Sequence, residues 1–254
     1  MRKIFLFLSL LVLLLPVPYS YGFSTKGEDC SKCHTLTKDD AAALLKDLIP
    51  NVKVLEVRVS PVKGIWEVDI DSGGRKGPTY IDFSKKYLVA GSIVDIKEKK
   101  NLTQERLSEI NKVDVSQIPL SDALVMGDKD AKHKVIVFDD PDCPYCAKLH
   151  QEMKQVIAER KDIAFYIKMF PLPMHKGAYD KAKAIVCEKS LALLEDAFAG
   201  KELPKPKCET KVIDENINLA QKLGISGTPA LILPDGKVIP GYKDAKGIME
   251  MIGN

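Results

Sequence analysis

The feature that most constrains this chain is a pair of thiols at the junction of an apolar run and an amphipathic helix. Val135-Ile136-Val137-Phe138 is unbroken apolar sequence, as expected of a strand buried on both faces. After Cys143-Pro144-Tyr145-Cys146, residues Leu149, Met153, Val156 and Ile157 fall on one helical stripe, the pattern of a helix with one buried face. Proline at the first helical position costs nothing, because that N–H has no partner within a helix. The Cys143 sulfur then faces unpaired N–H groups and the positive end of the helix dipole, surroundings that lower a thiol pKa to about 3.5–7.5. Cys146 lies one turn on. It is expected to be the more buried thiol and to resolve a mixed disulfide formed at Cys143. A C-x-x-C pair can also be an inert bridge or half a metal site; the strand before and the proline-led helix after favour redox chemistry.

The rest of this half fits around that unit. Ile163, Phe165, Ile167 and Met169 alternate as a second strand, and residues 176–223 are largely helical in pattern. Segments 230–233 and 237–239 flank Pro234-Asp235-Gly236, a hairpin signal, and a last helix covers 245–252. The order β-α-β, helical insert, β-β-α resembles a thioredoxin-like α/β layout interrupted by helices. Ser226-Gly227-Thr228-Pro229-Ala230 leads into the hairpin. A cis Thr228–Pro229 bond costs only about 0.5–1 kcal/mol over trans and would set the Thr228 backbone beside the dithiol, free to pair with an extended peptide.

Residues 38–100 read as a small α+β unit. Asp39 or Asp40 caps a helix carrying Ala43, Leu44, Leu48 and Ile49, and Pro50 ends it. Val52, Val54, Val57 and Val59 form a strand with a kink or bulge near Leu55. Trp66, Val68 and Ile70 alternate with Glu67 and Asp69 as a half-buried strand. Ser72-Gly73-Gly74 and Lys76-Gly77-Pro78 are turn chemistry, and residues 87–96 make a strand pair or one strand interrupted at Gly91. Residues 101–133, with a short helix over 102–110 bearing Leu107 and Ile110, read as a linker to a second domain at 134–254.

Arg2 and Lys3, an apolar run over residues 4–15, Pro16, Pro18, Ser20 and Gly22 have the order of a signal peptide at 1–22. An uncleaved anchor is the alternative. The chain's formal charge of +3 falls to +1 without Arg2 and Lys3, which points neither to nucleic acid nor to an acidic partner. All six cysteines follow residue 22, as spaced pairs 30/33, 143/146 and 187/208. Exported proteins keep disulfides, yet sequence alone leaves their connectivity open.

Within residues 23–37, Cys30-Ser31-Lys32-Cys33-His34 matches the c-type haem attachment signature, two thioether thiols and an axial histidine. A local disulfide, a second redox dithiol or half a zinc site are the other readings. Met126, Met174, His133 and His175 are conceivable sixth ligands, although such methionines are more often core and such histidines more often surface.

Several motifs in order now carry a resemblance. Residues 137–146 with Lys148-Leu149-His150, then Ala184-Ile185-Val186-Cys187, Ala199-Gly200-Lys201, and 223–230 running to Pro240-Gly241-Tyr242, resemble the DsbC/DsbG family of periplasmic thiol:disulfide interchange proteins. Ser60-Pro61-Val62-Lys63-Gly64 extends the likeness, more loosely, over residues 38–110. The C-x-x-C-H motif departs from it. The resemblance implies a cystatin-like N-terminal dimerisation domain joined by a helical linker to the thioredoxin-like domain. It implies a homodimer whose two dithiols face an apolar cleft, act on misoxidised exported proteins and are kept reduced by a DsbD-type membrane protein. It further implies a structural disulfide between Cys187 and Cys208, and an acidic residue, Asp140, near the dithiol to assist proton movement. Asp139 and Asp142 crowd the same place, and any of the three can cap the helix. The competing functions are a peptide-binding chaperone and a haem electron-transfer protein.

Overall fold

The computed structural model describes residues 34–253; the expected signal peptide and both Cys30 and Cys33 lie outside them. Helix α1 (Lys38–Leu45) is capped by Thr37, not by Asp39 or Asp40. Thr37 Oγ1 accepts the Asp40 N–H at 3.1 Å, while the Asp40 carboxylate accepts the Thr37 N–H. The acid three residues after the cap therefore closes a reciprocal pair of bonds. Four antiparallel strands follow in sequential order: β1 (Val52–Val59), β2 (Ile65–Ser72), β3 (Arg75–Asp82) and β4 (Leu88–Val89). The β1–β2 register slips between Val54 and Glu56, placing the expected bulge at Leu55.

Two expectations for this sheet are corrected. Lys76-Gly77-Pro78 lies inside β3 rather than in a turn, with Pro78 opposite Asp69. Strand β2 is buried on both faces. Trp66 and Val68 pack with Ala41, Leu45 and Ile81 on one side, while Glu67 and Asp69, 5% and 2% exposed, are covered on the other. The cover is ionic: Arg58 pairs with Glu67, and Arg106 forks onto Asp69 and reaches Glu56. Arg106 belongs to helix α2 (Leu102–Ile110), which these pairs and the Tyr80–Thr103 hydroxyl contact hold against β3. The 87–96 region supplies β4 and then β5 (Val94–Asp95), which forms a two-residue ladder with β6 (Lys100–Asn101).

Beyond α2 the chain docks on the far end of the second sheet. Val113 N–H donates to Gly236 O at 2.9 Å, and a Cβ on Gly236 would stand 2.2 Å from Val113 O, so this contact requires glycine. Lys112 with Asp235 and Lys237 with Glu109 reinforce it.

The second sheet has strand order β11-β10-β8-β9-β7. Its members are β7 (Leu124–Met126), β8 (His133–Asp139), β9 (Ile163–Met169), β10 (Ala230–Ile232) and β11 (Val238–Pro240). Only β8 and β9 run parallel. Edge strand β7 comes from the stretch read as linker, so this sheet starts before residue 134. Gly127, at φ +102° and closely backed by β9, turns the chain out of it.

Strand β9 is buried at every position. Even Lys168 is inside, its ammonium on Asp122 and on Pro119 O. One sheet face, with Val135, Val137, Phe165 and Ile167, is covered by α3 (Pro144–Glu159), α4 (Ala178–Glu188), α5 (Leu191–Phe198) and α7 (Ala245–Ile252). The other, with Ile136, Phe138 and Tyr166, lies beneath Ile118, Ile225 and Ala220 of α6 (Val212–Lys222). Fully burying a side chain such as Phe165 or Met153 stabilises by about 1.5–3 kcal/mol, and two such layers fix the orientation of β8 and α3 that presents the thiols.

Candidate active site

Strand β8 ends at Asp139, and four residues later Cys143 is the N-terminal cap residue of α3, with Pro144 at the first helical position. No side chain caps this helix, so Asp139, Asp140 and Asp142 do other work. Cys143 N–H donates to Asp140 O at 3.1 Å, and Cys143 O accepts from the N–H groups of Cys146 and Ala147. Both thiols are free. Cys143 is 5% exposed and Cys146 1%, so the first is nearer the surface but well covered. Its cover includes the turn before β10: Cys143 Sγ lies 3.5 Å from Thr228 O, and the Thr228–Pro229 peptide is cis.

The two sulfurs are electrostatically opposite. The thiol of Cys146, aimed at Cys143, is the largest influence lowering the Cys143 pKa to about 5; burial opposes this, and Thr228 with the N–H groups of Cys146 and Tyr145 assists. The helix end thus helps, but the second thiol contributes most. Cys146 is pushed far up, first by burial, then by Cys143 and by Asp139. One sulfur is built to be an anion and the other to keep its proton.

The acid facing Cys146 is Asp139, which sequence reasoning passed over in favour of Asp140. Asp139 is 1% exposed. Its Oδ1 accepts the Asp140 N–H at 3.1 Å, and its Oδ2 is buried without a hydrogen-bond partner. Burial raises its pKa to about 7, against a smaller opposing effect of the Cys146 thiol. Strand parity carries the signal that finds it: Val135, Val137 and Asp139 alternate onto the face packed by α3, whereas Ile136 and Phe138 belong to the opposite face. Asp140, fully buried, instead accepts the N–H groups of Asp142 and Leu172 and bonds His175.

Cys187 and Cys208 form a disulfide with a Cα–Cα distance of 5.6 Å, tying the end of α4 to the loop before α6. His34, the described end of the C-x-x-C-H motif, is exposed with its ring 5.3 Å from that of Phe83. Of the four residues weighed as a sixth haem ligand, Met126 is core, Met174 is 77% exposed, His133 lies 3.7 Å from Asp162 and His175 is held by Asp140. A cavity of about 390 Å³ opens between α2 and the turn beside the dithiol, lined by Leu107, Asn111, Ile225, Thr228, Pro229 and Pro240.

Comparison with known proteins places both halves of the chain by sequence. Residues 120–253 match the family described as thioredoxin-like domain, and residues 34–104 match the disulfide bond isomerase protein N-terminal domain. The thiol:disulfide interchange protein DsbC of Salmonella typhimurium is 32% identical over 215 residues, covering 82% of this chain and 84% of that protein. The DsbC of Escherichia coli K12 is 28% identical over 221 residues, covering 84% and 87%. A solved disulfide interchange protein from Neisseria gonorrhoeae aligns with a TM-score of 0.46 at 29% identity, over 53% of this chain and 96% of that one.

Proposed function

The chain belongs to the DsbC family of thiol:disulfide interchange proteins, and from that premise we propose that Cys143 is the attacking thiolate and Cys146 the resolving thiol of a disulfide isomerase working on exported proteins. The observation that carries this reading is the acidified Cys143 sulfur, held at a helix start 3.5 Å from the Thr228 carbonyl. At neutral pH it is an anion, the form that attacks disulfides.

The Cys143 thiolate attacks one sulfur of a substrate disulfide. A Cys143–substrate bond forms, and the other substrate sulfur leaves as a thiolate. An extended substrate strand aligned along Thr228 and Pro229 is held in register for this attack, with the neighbouring cavity taking its side chains. Two exits follow. In isomerisation a second substrate thiolate attacks the mixed disulfide, a new substrate disulfide forms, and Cys143 leaves as the thiolate with no net redox change. In reduction Cys146 gives its proton to Asp139 and attacks Cys143. The substrate then departs with both its sulfurs reduced, and the Cys143–Cys146 disulfide remains. That second exit requires an external dithiol, which we assign to a DsbD-type membrane reductase.

This dithiol chemistry needs no cofactor. The match of residues 34–104 to the isomerase N-terminal domain supports a homodimer. The basic, apolar and small residues in order over 1–22 support a signal peptide and with it the periplasm as the working compartment. The division into a dimerisation domain at 38–100, a linker at 101–133 and a catalytic domain from 134 is part of the same proposal, with β7 joining the catalytic sheet. A haem c on Cys30 and Cys33 with His34 would be a separate centre. Absence of a covalent Soret band after expression with a cytochrome c maturation system removes it.

The test of the main reading is recovery of scrambled ribonuclease. The wild-type chain is expected to restore activity and Cys143→Ala to abolish the gain; equal recovery would overturn the enzyme reading.

A further inference from the structure

Asp140 presents an electrostatic problem that the exchange steps leave unexplained. Its carboxylate is fully buried three residues before Cys143, and its backbone carbonyl holds the Cys143 N–H at 3.1 Å. A carboxylate so placed opposes a neighbouring thiolate, because like charges away from water raise each other's cost. Yet Cys143 is the acidified sulfur of the pair.

The charges around Asp140 supply an answer. Its Oδ1 accepts the Asp142 N–H at 2.8 Å; its Oδ2 accepts the Leu172 N–H at 2.6 Å and lies 2.8 Å from His175 Nδ1. Neutral N–H donors orient a carboxylate without cancelling its charge. Among the described residues, His175 is the one side chain able to place a full positive charge on it. Lys181, a cation on α4, is spent on Asp142 at 2.5 Å. Asp139 faces Cys146 and carries no positive charge to offer; it feels Cys143 and Asp140 as like charges. His175 sits on the loop between β9 and α4, with its side chain 23% exposed. Asp140 first, then the negative charges of Cys143 and Asp142, raise its affinity for a proton, against some desolvation.

We propose that His175 is a positioning residue for disulfide exchange: as an imidazolium bonded to the buried Asp140 carboxylate, it cancels the charge that would oppose the Cys143 thiolate. The reduced dithiol is then stabilised through this pair relative to the uncharged disulfide. The reduction potential of the site depends on a histidine that does not touch the substrate. This inference rests on Cys143 being the attacking thiolate.

The experiment titrates the thiolate absorbance of the reduced full-length protein against pH, using Cys143→Ala as the blank, and equilibrates each variant with glutathione. For His175→Gln the Cys143 pKa is expected to rise by about one unit or more. The disulfide form should gain roughly tenfold against glutathione, about 30 mV towards the more reducing side. The double variant Asp140→Asn/His175→Gln should return most of both shifts, which loss of a structural bond would not do. Asp140→Asn alone gives an independent arm should His175→Gln fold poorly; it is expected to leave the Cys143 pKa at or below the wild-type value. An unchanged His175→Gln titration, a double variant no better than the single, or a raised pKa in Asp140→Asn would each overturn the inference while leaving Cys143 as nucleophile. A wild-type protein without an acidic thiolate would overturn both.

Discussion

Cys143 Sγ and the carbonyl oxygen of Thr228 stand 3.5 Å apart although 85 residues separate them in the chain. The contact joins the start of α3 to the turn before β10. Strands β8 and β10 are hydrogen-bonded neighbours in antiparallel register, Phe138 opposite Ala230, so the end of one and the beginning of the other fall at the same edge of the sheet. The Cys143 sulfur and the backbone proposed to align a peptide are therefore brought together by strand pairing.

The proposed resolving role of Cys146 and its acidifying influence on Cys143 separate in a single variant. In Cys146→Ala the strongest influence lowering the Cys143 pKa is gone, so that pKa is expected to climb from about 5 towards the ordinary thiol range. Attack continues more slowly at neutral pH, and mixed disulfides that no second substrate thiolate attacks persist, because the internal exit is gone. Thiolate titration and non-reducing gels of protein mixed with a misoxidised substrate check the two outcomes. An unchanged Cys143 titration would assign the acidity to the helix end alone.

Asp139 ties stability to pH. Its proton is held to about pH 7 in the folded chain, against an ordinary value of 3.8. Folded and unfolded forms bind that proton equally below about pH 4, and the folded form increasingly keeps it as pH rises, so stability falls until about pH 7 and then stays lowered. The cost reaches at most about 4 kcal/mol, less where the site relaxes. Asp139→Asn is expected to be the more stable protein at and above neutral pH and to show a flatter stability profile between about pH 4 and about pH 7. With the proposed proton acceptor gone, release of mixed disulfides through Cys146 should slow on the order of 10²-fold. Urea unfolding across that pH range and single-turnover release kinetics test both halves.

The local chemistry of the site was largely written in consecutive residues, because a buried strand, a proline-led helix and the thiols between them are short-range patterns. The Leu55 bulge was equally legible: the apolar spacing changes parity between Val54 and Val57, and the β1–β2 register slips there. Strand β7 was not, since three residues are too few to show a period. Lys76-Gly77-Pro78 misled for a different reason. Strand β4 pairs only with Tyr80 and Ile81, so β3 is a free edge at Pro78, where a missing N–H breaks no ladder. Glu67 and Asp69 read as solvent-facing because the groups that bury them, Arg58 and Arg106, arrive from β1 and α2. No local pattern encodes an ionic cover assembled from distant segments.

That cover makes Arg106 a strong point of the N-terminal unit. Its guanidinium forks onto Asp69, which is 2% exposed, and reaches Glu56. Removing it leaves a buried carboxylate with only the longer 3.7 Å contact to Arg58, and breaking a buried pair from one side costs about 3–5 kcal/mol. The arginine is partly exposed, so about 2–4 kcal/mol is the expected loss for Arg106→Ala. Arg106→Lys should recover little, because an ammonium lacks the planar fork. Asp69→Asn/Arg106→Met, which removes both charges, should recover most. Urea unfolding followed by the fluorescence of Trp66 reads this unit, and equal stability of all three variants would mean the network is neutral.

The Cys187–Cys208 disulfide lies on the helical insert, away from the exchanging sulfurs, and closes a loop with a sequence separation of 21. In the chain-entropy account a loop of this length stabilises by about 3 kcal/mol, because the cross-link restricts the unfolded chain. Cys187→Ala/Cys208→Ala is therefore expected to lower the melting temperature by on the order of 10 °C, at roughly 2–4 °C per kcal/mol for a chain of this size. The Cys143 titration and the initial rate of disulfide exchange at low temperature should stay unchanged, since neither cysteine touches the dithiol. Loss of exchange in the still-folded double variant would show that this bond takes part in the chemistry. An unchanged melting temperature would place its stabilising effect below what loop closure requires.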